Sequence, residues 1–311
     1  MSRKGIEALF EKLFFDPDPL HFPLLFLLFP LSVLYGTAMF LRRILARREH
    51  FPLPLISVGN LIVGGSGKTP FVIALASRTP GTVVISRGYG RQSRGMVEVS
   101  RAGEILTGVE ESGDEAMLMA RALPECSVIV SEDRKEAIRM AIARGAVQII
   151  LDDGFNRVDI EKFEILLEPE KIRNRLPFPA GPFREFSFDS SFADLLLREG
   201  RAYRRKTRFV DLTPRMLLVT AIARPERLEA YLPDGVVSRY FLPDHAYFDE
   251  VELAALMRDC DADSLLVTEK DAVKMGGFKL PLSIIELEIV IEDSVLRKVE
   301  EYRDSVDFPI D

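Results

Sequence analysis

The stretch that most restricts the fold is Gly59 to Pro70, GNLIVGGSGKTP. An apolar run, LPLISVG (53–59), leads into it, and a helical pattern from Gly67 to Ser77 leaves it. Strand, glycine-rich turn and helix in that order belong to α/β sheets. Gly64, Gly65 and Gly67 allow the backbone to approach a ligand closely. A turn of this kind aims N–H groups and a helix N-terminus at an anion. The phosphate-binding pattern G-x-x-x-x-G-K-[ST] puts its first glycine five residues before Gly67. This chain has Ile62 there, an apolar lead-in, while Gly67, Lys68 and Thr69 complete the pattern. The candidate nucleotide cradle is therefore Val63, Gly64, Gly65, Ser66, Gly67, Lys68 and Thr69. Lys68 would reach the terminal phosphates, and the Thr69 hydroxyl would hold Mg²⁺. The plain alternative is a glycine-rich turn with a solvated lysine.

The rest of the chain extends the alternation. Strands are expected at TVVISRG (82–88), CSVIVS (126–131), AVQIILDDG (146–154) and FEILLE (163–168). Helices are expected at 113–123 and 132–145, the second ended by Gly145. This predicts a P-loop NTPase-like, mostly parallel sheet flanked by helices. Residues 170–213, rich in Pro and Arg, lack a clear period. The α/β pattern then resumes from RMLLVTAIA to EDSVLRKVEEYRD. The expected organisation is an apolar segment with a basic flank (1–50), a P-loop domain (51–190), an extended linker (191–213) and a second, smaller α/β domain (214–311).

The N-terminal segment has its own constraint. Phe22 to Leu41 holds 20 residues without a charge, and Arg42 to Arg48 comes next as RRILARR. A run of roughly 20 apolar residues can cross a bilayer as a helix. The basic flank would keep the downstream α/β domains on the cytoplasmic side. A secretory signal fits poorly, because the charge lies after the apolar run. The readings are a spanning helix, a helix lying in the interface, or a buried core helix.

Of the 311 residues 47% are hydrophobic and 29% charged, enough for a sizeable core; the net charge of −7 disfavours nucleic acid as a partner. Cys126 and Cys260 match no metal or redox spacing. Asp152 and Asp153 end an apolar strand, at the edge where open α/β sheets bind ligands, and are the candidates for Mg²⁺. Asp114, at a helix start, reads either as a carboxylate favoured by the helix dipole or as a general base. His245 lies in a loop and could pair with Asp114. Arg87 and Arg184 are among several arginines able to clamp a phosphorylated substrate. TEKD (268–271) lacks the N/T-K-x-D pattern of guanine recognition, which favours ATP.

In order, SVGNLIVGGSGKTP, SRGYGR, SGDEAMLMA, LDDGF, PFPAGPFRE, TAIARPERL, PDHAYF and VTEKDAVK resemble the tetraacyldisaccharide 4'-kinase family, from about Gly59 to Lys274. The resemblance implies transfer of the ATP γ-phosphate to the 4'-hydroxyl of a tetraacyldisaccharide 1-phosphate in lipid A biosynthesis. It implies a location at the cytoplasmic face of the bacterial inner membrane. No obligate protein partner is evident, and the site is expected between two α/β domains. It assigns Lys68 and Thr69 to phosphate and Mg²⁺, Asp152 and Asp153 to the metal's surroundings, Asp114 and His245 to catalysis, and Arg184 to the active-site region. One departure is Asn156, where the family often has Gln after Asp-Asp-Gly-Phe. The rival expectation is a membrane-associated P-loop ATPase acting as a partner-binding switch.

Overall fold

The computed structural model describes residues 10, 12–63, 67–168, 172–222 and 225–306. Gly64, Gly65 and Ser66 of the expected cradle, and Arg224, lie outside the described residues. In chain order the main elements are α1 (Phe22–Ile44), β1 (Leu55–Gly59), α2 (Lys68–Ala76), β2 (Thr82–Ser86), β3 (Val97–Arg101), β4 (Glu104–Ile105), α3 (Asp114–Ala122), β5 (Ser127–Val130), α4 (Arg134–Ala143), β6 (Gln148–Asp152), β7 (Phe163–Glu168), β8 (Leu195–Arg198), β9 (Tyr203–Val210), β10 (Met216–Thr220), β11 (Val236–Phe241), α5 (Glu250–Asp259), β12 (Ser264–Thr268), β13 (Leu282–Ile291) and α6 (Asp293–Ser305). Eight strands belong to a large, mostly parallel sheet and five to a smaller one. The α/β class expected from the alternation is the class observed.

The chain divides into two compact units. The first comprises Met1–Lys68, Ile150–Tyr203 and Glu292–Asp311. Here β6, β1, β7 and β8 are neighbours in that order. Strand β1 runs parallel to β7, with Ile56 opposite Phe163 and Gly59 opposite Leu166. All five residues of β1 are buried. A parallel strand covered on both faces needs such an unbroken apolar run, and LISVG supplies one. Helix α6 is fastened by Tyr302, whose hydroxyl donates to the Leu55 carbonyl at 3.1 Å and whose ring stacks on Phe163.

Helix α1 belongs to the same unit. Among the described residues it lies in the one helix long and apolar enough to cross a membrane by length and composition. Its packed face is small or polar: Ser32, Gly36 and Arg43 are its buried residues. The Ser32 hydroxyl accepts from the Ala180 amide at 2.8 Å. A Cβ on Gly36 would fall 2.7 Å from the Phe186 ring, so the glycine is what lets the ring lie against the helix. Arg43 donates to both carboxylate oxygens of Glu185, at 2.8 and 2.9 Å, and to the Phe155 carbonyl at 3.0 Å. Its guanidinium also lies 4.0 Å from the Phe155 ring centroid. Arg43, read from sequence as part of a basic flank, is thus an internal ion-pair partner.

The second unit comprises Thr69–Ile149 and Arg204–Ile291. Strands β4, β3, β5 and β2 are neighbours, with β2 parallel to β5 and β3 antiparallel to both of its partners. The five-stranded order is β11-β10-β12-β13-β9. Leu217, Val219, Leu265 and Val267 form a core with Leu253 and Met257 of α5. Strands β3 and β4 have no counterpart in the sequence reading: β4 is two exposed residues, and VEVSR of β3 is short and mostly polar. The stretch 191–213 contains β8, paired parallel to β7, and β9. Pro225–Tyr231 forms a 3-10 helix.

Candidate functional site

In the first unit several candidate side chains gather where β1 and β6 end. Asp153 comes directly after β6 with a left-handed φ of 54° and donates its amide to the Val58 carbonyl at 2.9 Å. Its carboxylate meets Lys68 Nζ at 3.4 Å and accepts from Arg184 at 2.8 Å. Lys68 also donates to Asn60 Oδ1 at 3.2 Å. Burial pushes the Asp153 carboxyl up, but the Lys68 and Arg184 charges outweigh burial and hold it below the ordinary value. Asp152, the last residue of β6, is buried. Two of the resemblance's motifs therefore converge here, the LDDGF acids with the lysine of SGKT, and Arg184 joins them.

This convergence has a packing cause. A Cβ on Gly59 would stand 2.7 Å from Cβ of Phe155. Only glycine at the end of β1 lets the loop after β6 come so close. Ile62 is buried beside Leu61, Phe155, Leu166 and Phe183. It pairs in an antiparallel bridge with Phe183, and the Arg184 amide donates to the Leu61 carbonyl at 2.8 Å. The residue that replaces the early glycine is thus a core residue aligning the PFRE segment, which sets Arg184. Val63 donates its amide to the Pro182 carbonyl at 2.9 Å. Asn156 gives its carbonyl to Arg42 at 3.1 Å.

In the second unit Asp114 and His245 come together. His245 Nδ1 lies 2.9 Å from Asp114 Oδ2. The other carboxylate oxygen, Oδ1, accepts from the Glu115 amide at 2.9 Å. Lys274 Nζ and Lys270 Nζ stand 3.3 and 3.6 Å from Oδ2. Asp114 is 4% exposed. Burial alone would raise its carboxyl, but the His245 hydrogen bond and the two lysines reverse that and lower it to about 2. An ionised carboxylate can only accept, so His245 Nδ1 carries the proton of this bond. His245 itself has a left-handed φ of 61° and is tied by its amide to the Ala221 carbonyl at 3.0 Å. Tyr89, exposed, places its ring 5.3 Å from the His245 ring.

Thr69 is buried in the first turn of α2, and Arg87 is exposed one residue beyond β2. Lys270 and Lys274 are neighbours of Asp114 that the sequence did not single out. Their signal was present in VTEKDAVK, a strand end with two lysines after it at a spacing of four. Asn60 was also missed, although it stands directly after the glycine that admits Phe155.

Known proteins resemble this chain over most of its length. The sequence model of a family described as tetraacyldisaccharide-1-P 4'-kinase matches residues 24–302. A tetraacyldisaccharide 4'-kinase of Helicobacter pylori (strain HPAG1) is 43% identical over 301 residues, covering 96% of each chain. One from Campylobacter jejuni (serotype O:2) is 40% identical over 303 residues, covering 97% of each. In structure, LpxK from Aquifex aeolicus, crystallised in complex with ATP, superposes with a TM-score of 0.77 at 28% identity, covering 90% of this chain and 99% of that one. With the match running from α1 into α6, the chain belongs to the tetraacyldisaccharide-1-P 4'-kinase family.

Proposed function

We propose that this protein transfers the γ-phosphate of ATP to the 4'-hydroxyl of a tetraacyldisaccharide 1-phosphate, a step of lipid A biosynthesis. The observation that carries the reading is the pairing of Asp114 with His245. A kinase must receive a proton from an attacking hydroxyl, and a carboxylate oriented by an imidazole meets that need. A switch ATPase would turn the same pair on water, so the reaction product is what separates the two readings.

The roles derive from the chemistry of each group. Lys68 neutralises phosphate charge, assisted by Arg184. Phosphoryl transfer passes through a loose transition state, so its catalysis is mainly positioning and charge stabilisation. A well-placed but weakly basic Asp114 therefore suffices. Arg87 and Arg184 are assigned to the anionic substrate.

Thr69, Asp152 and Asp153 offer the hard oxygen donors that suit Mg²⁺. Among the described residues no group of three His, Cys, Asp or Glu could hold a metal alone. That fits an ion that completes its shell with substrate phosphates and water. Thr69, Asp152 and Asp153 would hold the ion, which would offset phosphate charge.

The working location is the cytoplasmic face of the inner membrane. Helix α1 exposes Phe26, Leu27, Leu31 and Leu34. A substrate held in a bilayer by its acyl chains demands an enzyme docked on that bilayer. The test is to incubate the protein with ATP and the acylated disaccharide 1-phosphate in detergent micelles. A phosphorylated lipid is expected, with most activity lost in Lys68→Ala and Asp114→Ala. Full activity in both variants would overturn the site assignment, and release of free phosphate alone would favour the switch ATPase.

A further inference from the structure

The turn after β12, residues 268–275, grips the loop of His245 from two directions. Its Asp271 is fully buried and accepts from the Thr220 hydroxyl at 2.6 Å, the Thr268 hydroxyl at 2.7 Å and the Ala221 amide at 3.2 Å. The carbonyl of that same Ala221 accepts the amide of His245. Three residues further along the turn, Lys274 is 2% exposed. Its ammonium lies 3.3 Å from Asp114 Oδ2 and donates to the Ala246 carbonyl at 3.2 Å. The ring of Phe248 sits 5.7 Å away. The contacts close into a ring: Asp271, Ala221, His245, Asp114, Lys274.

We propose that Lys274 is a positioning residue for the Asp114–His245 pair, fixing the Asp114 carboxylate and the peptide after His245 in one geometry. The inference rests on the reading of Asp114 as the group that receives the hydroxyl proton. The geometry separates Lys274 from its neighbour on the same turn. Lys270 is 21% exposed and divides its charge among Asp114, Glu115 and Asp244 at 3.6, 3.6 and 3.9 Å. Lys274 has one carboxylate and one carbonyl, both belonging to the pair and its loop. His245 occupies a left-handed backbone that a non-glycine residue adopts at a cost. Such a conformation persists when its surroundings over-determine it. The Ala221 carbonyl before it and the Lys274 ammonium after it supply that.

The experiment is a double-mutant cycle on the full chain, with ATP and the acylated disaccharide 1-phosphate in micelles. Lys274→Met is expected to lower kcat by about 100-fold while KM for both substrates stays within about twofold, as misplacement of a reacting group does. In the Asp114→Asn background the same substitution should change kcat by no more than about threefold, because residues acting as a unit are not additive. Should Lys274→Met fail to fold, Lys274→Gln, which keeps a donor for the Ala246 carbonyl, carries the same cycle. Equal losses in the two backgrounds, or an unchanged kcat, overturn the inference while leaving the role of Asp114 intact. Full activity of Asp114→Asn and His245→Ala would instead remove the reading on which it stands.

Discussion

Asp114 and His245, 131 residues apart in sequence, share a hydrogen bond of 2.9 Å, and two lysines crowd the same carboxylate oxygen. The arrangement favours the ionised aspartate so strongly that its carboxyl falls from the ordinary 3.8 to about 2. A depressed folded value means stabilisation that is complete above the unfolded value and lost as pH falls through the folded one. Asp114→Asn should therefore be less stable at pH 7, with about 2 kcal/mol of the deficit dependent on pH and about half of that gone by pH 3. Urea titrations at pH 7, 5 and 3 measure it. A deficit independent of pH would contradict the lowered carboxyl.

Arg43 and Glu185 form a buried pair whose members depend on each other, and burial raises the Glu185 carboxyl in spite of the arginine. Removing one partner strands the other charge. Arg43→Met is expected to cost about 3–5 kcal/mol, and Arg43→Met with Glu185→Leu distinctly less than Arg43→Met alone. Chemical denaturation in detergent gives both values. Additive losses would show that the two do not act as a pair.

Gly59 faces Phe155 with no room for a methyl group. Gly59→Ala should destabilise by about 1–3 kcal/mol, as overpacking does, and should weaken ATP binding by shifting the loop that carries Asp153. Thermal melting and nucleotide titration are the measurements. A variant with the wild-type melting temperature and ATP affinity would mean that the contact yields freely.

Phe26 and Leu27 are 84% and 71% exposed on α1. Each would contribute about 1.5–3 kcal/mol if buried in lipid, so Phe26→Ser with Leu27→Ser should reduce vesicle binding at least about tenfold. The kcat toward a short-chain, soluble acceptor should stay at the wild-type level. Co-sedimentation with anionic vesicles reads the first, and unchanged sedimentation would exclude this face as the lipid contact.

The sheet was legible because buried parallel strands spell themselves as unbroken apolar runs, as LISVG and TVVIS do. The place of Asp152 and Asp153 was legible for the same reason, since they stand at the end of such a run. Strand Val97–Arg101 was not, because three of its five residues are polar and it has no such run. The pairing of Asp114 with His245 could be suggested by sequence but not fixed, because the loop's path depends on Ala221 and Asp271. Arg43 misled for a physical reason: a buried arginine and a solvated one are spelled alike, and only Glu185 distinguishes them.

The contacts of α1 also have a rotational meaning. Ser32, Gly36 and Arg43 are keyed to Ala180, Phe186 and Glu185 along one line of the helix. That keying fixes the helix's phase about its own axis, and so decides which side chains point outward. One residue inserted between Gly36 and Arg43 would turn the two halves by about 100° relative to each other. The clamp could then hold at Arg43 or at Ser32 and Gly36, but not at both. Leu27, on the side of the helix away from that clamp, is therefore aimed by contacts about one and a half to four and a half turns away.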